Sequence, residues 1–499
     1  MILYVFGASI CLIAEDKPSL LWSDQIGSDK EDRGTGISVD DASNVYVCGY
    51  ASGDMLQKNA GSKDAFIVKY SPAGEKIWGY QLGTEKSDWI FSVRIGSDGN
   101  CYFTGETSGV LGEQSYGSTD CFVGKLNPDG ELIWIQQFGS SGADNPKNII
   151  LDEANNVYVC GYTSGQMGEE AFGSRDMFLA KYSGDGDQQW VKQYGTPQED
   201  GAWSLTLDAN NDIYLTGYTR GSWGADNAGS TDNLILHLNN DGEVVKVIQN
   251  GTGGDDGPLA VAVNVEGTIF MAGSSNNRAN LIAMDQDGNM LWERLYGVGG
   301  WSGTWSVELL KDGSGDMIVG GCQNYDKCQA FTRRYTKEGE LIWQNALFKN
   351  GSKLSCGRRI AIDKQGCCCQ TGFTNDDLFG EALGSTDAQV FKLGDAASSV
   401  KDARNIPEDF MLFQNHPNPF NPETKIEYRL NKESYVLLRV YNVAGEKIRT
   451  LVNSRQAAGL HEITWDAKND SLQPVSSGIY VYQMECNGQA FSRQMTYLK

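Results

Sequence analysis

One column of residues in this chain changes chemical type at every appearance: Thr35, Phe91, Lys147, Trp203, Leu259, Trp305 and Arg358. Scaffold packing does not ask for such variety, whereas a pocket does, because aromatic faces stack on sugar rings and cations while Lys and Arg hold anions. Phe91, Lys147, Trp203, Trp305 and Arg358, with Trp89 and Trp301 beside them, are therefore the candidate ligand-binding residues. Aromatics packed between neighbouring strands are the competing structural reading.

Three residues before that column stand Asp32, Asp88, Asp144, Asp200 and Asp256, replaced by Ser302 and Ser355 in the last two positions. Such an Asp caps a turn by accepting bonds from backbone N–H groups; alternatively the five form an acidic ring that collects a cation, calcium being the candidate. Calcium loops need several oxygen ligands at close spacing, and only Asp312-Gly313-Ser314-Gly315-Asp316 approaches that. A second acidic column, Asp64, Asp120, Asp176, Asp232 and Asp387, is followed five residues later by Lys69, Lys125, Lys181, His237 and Lys392, which reads as turn capping and blade-to-blade ion pairs. No nucleophile with a base, no phosphate loop and no cofactor motif stands out, so catalysis lacks support; a lyase or hydrolase using acids at the same mouth is the rival reading.

These columns become visible because the chain repeats. Trp22, Trp78, Trp134 and Trp190 are spaced by 56 residues, and Trp292 and Trp343 extend the ruler past Lys246, which takes the fifth place. Within one unit, Ser92–Ile95 and Cys101–Gly105 flank a turn at 97–100, and Cys121–Leu126 and Glu131–Gln136 flank Asn127-Pro128-Asp129-Gly130. Four short strands per unit of about 50 residues, without helical periodicity, is the signature of a β-propeller blade. Seven registers run from about residue 20 to 393, but the seventh lacks its fourth strand. The missing strand is found in Leu20–Ile26, which predicts a ring closed by its N-terminal strand, leaving no open edge.

The net charge is -23, with 64 acidic against 41 basic residues, which opposes nucleic-acid binding. Residues 1–14 include an apolar run too short to span a bilayer yet suited to a signal peptide, atypical or truncated because Met1 is its whole n-region. No other stretch suits a membrane span. Of the twelve cysteines, Cys48, Cys101, Cys160 and Cys368 alternate with Thr, Ala, Val and Ile in aligned columns and read as small buried apolar groups. Cys322 and Cys328, bracketing a short loop, are the candidate disulfide.

The recurring Asp64-Ala65-Phe66-Ile67-Val68-Lys69-Tyr70 pattern and strands such as Asn156-Val157-Tyr158-Val159 resemble the bacterial seven-bladed repeats called SBBP, or beta-propeller repeats. The resemblance implies a fold and little function. After Gly394, residues 395–409 have linker composition, and six or seven short strands in 410–499 indicate an immunoglobulin-like sandwich. Gln414 to Thr424, containing Pro417, Asn418, Pro419, Phe420, Asn421 and Pro422, and Ser477-Gly478-Ile479-Tyr480 resemble type A sorting domains of the type IX secretion system, relatives of the hook-capping immunoglobulin-like domain. That resemblance implies an address read by outer-membrane secretion machinery. The whole reads as an all-β protein: a propeller over 15–394, a linker, and a sorting domain, secreted or attached to the outer cell surface. A glycan, peptide or surface ligand would occupy the propeller mouth, and a structural surface-layer component is the remaining alternative.

Overall fold

Alternating β-branched and aromatic residues, punctuated by Asx turns, set up each repeat as an antiparallel meander. In the second blade, Asp98 Oδ1 accepts the Asn100 N–H and Gly99 takes φ +76°, turning Asp88–Ile95 into Cys101–Thr107. Asp120–Leu126 and Leu132–Phe138 complete the sheet. The computed structural model describes residues 18–296, 302–323, 329–346, 355–376, 382–394, 410–412, 415, 417, 418, 420–430, 432–442, 446–486 and 489–498. Among them there is no helix.

The first strands of the seven sheets are Asp32–Val39, Asp88–Ile95, Asp144–Leu151, Asp200–Leu207, Asp256–Val263, Gly303–Leu309 and Ser355–Ile362. Each packs against the first strand of the next sheet, and the last packs against the first. They are thus the inner strands around the axis. The seventh sheet takes its outermost strand from the N-terminal side: Ser19–Ile26 runs antiparallel to Asp387–Gly394, with Trp22 opposite Lys392. Single parallel bridges such as Lys63 to Ser87 and Glu31 to Thr386 stitch adjacent blades near the inter-blade loops. In the fifth blade the middle loop shrinks to Asn276 and Asn277, both at positive φ, a two-residue hairpin turn.

The tryptophan ruler marks contacts between blades. Trp22, Trp78 and Trp134 donate their indole N–H groups to the carbonyls of Pro72, Pro128 and Gly184, each in the last turn of the following blade. The second acidic column caps its own loop: Asp120 accepts the Tyr116 and Gly117 N–H groups and the Gln137 amide. Its companion cations form ion pairs within their own blades rather than between blades, because each side chain leans toward the first turn of its own sheet. Lys125 pairs with Asp98 and Lys392 with Asp363, in the first turns of their blades, and His237 meets Asp212 likewise.

The chain divides into two compact units, Met1–Ser398 and Ser399–Lys499. In the second, sheets of three and four strands enclose one core holding Phe420, Tyr428, Val436, Trp465, Tyr482 and Met495. Phe420 stacks on Tyr497 and trades backbone bonds with Thr496 and Leu498, while Asn415 and Thr424 hold the Pro417 carbonyl. Tyr480 donates to the Ser476 carbonyl. The motif residues of this segment thus build the sandwich itself; Pro419, like the segments 1–14 and 395–409, lies outside the described residues.

Candidate functional site

Every inner strand carries a β-bulge, and it falls on the same residue each time. Pairing with the second strand skips Thr35, Phe91, Lys147, Trp203, Leu259, Trp305 and Arg358. A bulged residue leaves the ladder and its side chain is re-aimed. Here all seven line one cavity of about 320 Å³ at the axis, together with Arg33, Tyr50, Trp89, Glu106, Asn145 and Arg359. The variable column is therefore brought together in full. Trp301 lies outside the described residues.

The bulge has a sequence signal that column reading passes over. Opposite each one stands the recurrent glycine of the second strand; a Cβ at Gly105 would meet the Trp89 carbonyl oxygen at 1.9 Å, and one at Gly372 the Cys356 oxygen at 1.8 Å. Only glycine tolerates so close a backbone, as isolated strand glycines at bulges do. The residue after that glycine is a second variable column: Tyr50, Glu106, Tyr162, Tyr218, Ser274, Cys322 and Phe373. It pairs across the sheet with Arg33, Trp89, Asn145, Gly201, Gly257, Gly303 and Cys356. Glu106, the acid in the cavity lining, belongs to it, and so was missed when only the inner strands were aligned.

Cations in the mouth rest mainly on rings. The Lys147 ammonium sits 4.6 Å from the centroid of Phe91 and 4.7 Å from that of Trp203. Arg358 lies 4.2 Å above Trp305, and Arg33 and Arg358 share Phe373, at 4.4 and 5.6 Å. Arg33 also pairs with Glu31. Trp89 packs on Tyr50 and Phe91. Burial lowers Lys147 to about 8 and raises Glu106 to about 6, each partly offset by the attraction of the other. The Asn145 amide donates to Glu106. Arg33 Nε and Asn145 Oδ1 are buried with no hydrogen-bond partner among the described residues.

The acidic column does not converge. Asp88 accepts the Thr84 N–H and hydroxyl and the Thr107 hydroxyl; Asp144 does the same with Ser140 and Thr163, and Asp32 with Ser28 and the Ser52 N–H. Asp200 and Asp256 bind Thr196 and Thr252 in the same way. Burial, partly offset by these bonds, raises the carboxyls of Asp32, Asp88, Asp144 and Asp200. Among the described residues no three His, Cys, Asp or Glu side chains gather as a metal site would require. Cys322 is placed 3.2 Å, sulfur to sulfur, from Cys356 of the next blade, while Cys328 lies outside the described residues. The ten described cysteines are all buried.

Residues 21–55 and 133–166 match the beta-propeller repeat family SBBP, and 420–489 match the FlgD Ig-like domain. An uncharacterized WD repeat-containing protein, L264 of Acanthamoeba polyphaga mimivirus, is 24% identical over 230 residues, covering 36% of this chain and 17% of that protein. The regulatory protein FlaEY of Caulobacter vibrioides is 25% identical over 276 residues, covering 47% and 28%. The chain thus spans less than a third of either curated relative. Among solved structures, PorZ, a surface component of the type-IX secretion system of Porphyromonas gingivalis, superposes with a TM-score of 0.34 at 11% identity, covering 95% of this chain and 75% of that one. The chain therefore carries SBBP-type beta-propeller repeats followed by a FlgD Ig-like domain.

Proposed function

We propose that this chain is an exported binding protein, displayed at or released from the outer cell surface, whose propeller mouth takes up a ligand. The observation that carries the reading is the convergence of seven bulged side chains, of six residue types, on one cavity. A repeated scaffold has no packing reason to vary the one position per blade that leaves the ladder, whereas a ligand site has. The immunoglobulin-like segment would serve as the export address, a role supported by its motif residues and its hook-capping relationship. Trp203→Ala and Trp305→Ala in the full chain test the mouth: a glycan or surface-ligand screen should lose its hits in both variants while melting curves stay cooperative. Unchanged binding in both would sink the assignment.

A second reading, a lyase or hydrolase, is favoured by one observation: Glu106 and Lys147 share the cavity with protonation equilibria drawn toward neutrality, as general acids and bases require. Asp88 and Asp200 already accept backbone and hydroxyl donors in their own turns. Turnover that Glu106→Gln abolishes without loss of fold would establish it.

A further inference from the structure

The cavity lining carries four cations, Arg33, Lys147, Arg358 and Arg359, against one acid, Glu106. That is the reverse of a chain whose net charge is -23. Two of the four cations rest on ring faces with no salt bridge to a described carboxylate, Lys147 between Phe91 and Trp203 and Arg358 on Trp305 and Phe373. A third, Arg33, is shared between the Phe373 ring and Glu31. A ring face attracts a cation but accepts no full set of N–H bonds from it, so Lys147 and Arg358 keep donor capacity for a ligand. Arg359, deeper in the channel, is lowered to about 10 by burial, with Arg94 beside it adding repulsion. Such a cluster is arranged for an anion that arrives with the ligand.

The remaining groups say what the anion is attached to. Glu106 and Asn145 Oδ1 are acceptors and want hydroxyl donors. Trp89, Trp203 and Trp305 are half-buried with their remaining surface in a cavity, where indole faces suit the C–H face of a pyranose. A volume of about 320 Å³ is at the small end of ligand sites, enough for one residue or a chain end. A nucleotide would bring more negative charge than one carboxylate into a small cavity that already holds Glu106. On the reading of the mouth as a ligand site, we infer that its ligand is an acidic sugar: a single ring carrying one oxyanion, which Arg33 and Arg358 grip above Phe373, with hydroxyls turned to Glu106 and Asn145.

The test uses the full chain and titration calorimetry against glucuronate and galacturonate, glucose 6-sulfate and galactose 6-sulfate, glucose and galactose, and AMP. Acidic sugars should bind at least about tenfold tighter than their neutral parents, and Arg358→Gln should weaken them about 10- to 100-fold, the scale of a charge-assisted bond. Arg358→Lys should recover part of that loss, which separates charge from misfolding. The uronates against the sulfates decide whether the oxyanion is a carboxylate or a sulfate, and either supports the inference. Equal binding of the neutral parents, with Trp203→Ala abolishing it, overturns the acidic-sugar inference and leaves the mouth standing. Acidic sugars bound equally well by Arg358→Gln and Trp203→Ala overturn both, since the site would be elsewhere. Preference for AMP, or no binding by any sugar, overturns the inference alone.

Discussion

Gly74, in the last turn of the first blade, lies directly against the indole of Trp22, the outermost strand residue of the seventh. A Cβ at Gly74 would meet the ring at 2.7 Å, and the glycine holds φ +84° besides. The same packing recurs at Gly130 on Trp78 and Gly186 on Trp134, so the ruler and its glycines form one joint repeated around the ring.

Gly74→Ala should therefore cost two penalties, left-handed strain and overpacking, about 2–4 kcal/mol together. Gly313, at φ +80° with nothing within 4 Å, is the control and should lose only about 1 kcal/mol as alanine. Urea midpoints of the two variants give the comparison; equal losses would mean that the Trp22 contact carries no stability.

The mouth should also show itself in stability against pH. Lys147 holds its proton less tightly folded, near 8, than its ordinary 10.5, so the unfolded chain binds more protons between those values and stability climbs with pH there. Glu106 is shifted the other way, from 4.5 to about 6, so stability falls as pH rises across that interval. Lys147→Met should be more stable than the parent at pH 7, with the gain fading toward pH 10.5, and Glu106→Gln should flatten the acidic limb. Thermal melts from pH 4 to 11 read both, and parallel curves for parent and variants would refute the shifts.

Asp88→Ala removes an acceptor from three donors and should destabilise by about 2–3 kcal/mol. Because each carboxylate serves its own turn, millimolar calcium should leave the melting temperature of the parent unmoved. A rise of several degrees would restore the acidic ring as a cation site.

In an oxidising compartment Cys322 and Cys356 should join. Their two thiols would give one disulfide, and the two electrons and protons pass to a disulfide oxidant such as oxidised glutathione. Peptide mapping after that treatment should recover the 322–356 pair, linking blades six and seven beside Trp305 and Phe373. Recovery of Cys322 with Cys328 instead would uphold the pairing expected from loop spacing.

The repeat made the fold readable because each blade solves one packing problem, and the spacing of Trp22, Trp78 and Trp134 exposes the solution in register. The vacant fourth strand of the seventh unit and its supply by Leu20–Ile26 followed from counting. The mouth was readable for a different reason: Phe91, Lys147, Trp203 and Arg358 differ where scaffold residues agree. What stayed hidden depended on pairing between strands. Glu106 shows up only when Trp89 is set opposite it, and Cys356 lies too far along the chain from Cys322 for spacing to suggest contact. The partners of Lys125 and Lys392 were likewise a matter of which way a long side chain leans.

The pairing of Ser19–Ile26 with Asp387–Gly394 also sets an order of events. Blades one to six each draw their four strands from one continuous stretch and can assemble as the chain emerges. The seventh cannot, since its outer strand is made first and its neighbour last. Until residue 394 is available, Trp22 and the strand around it remain an unpaired, partly apolar edge, the kind of segment that invites wrong partners. Closure of the ring therefore has to wait for the strand Asp387–Gly394, and whatever delays that strand exposes Ser19–Ile26 for longer.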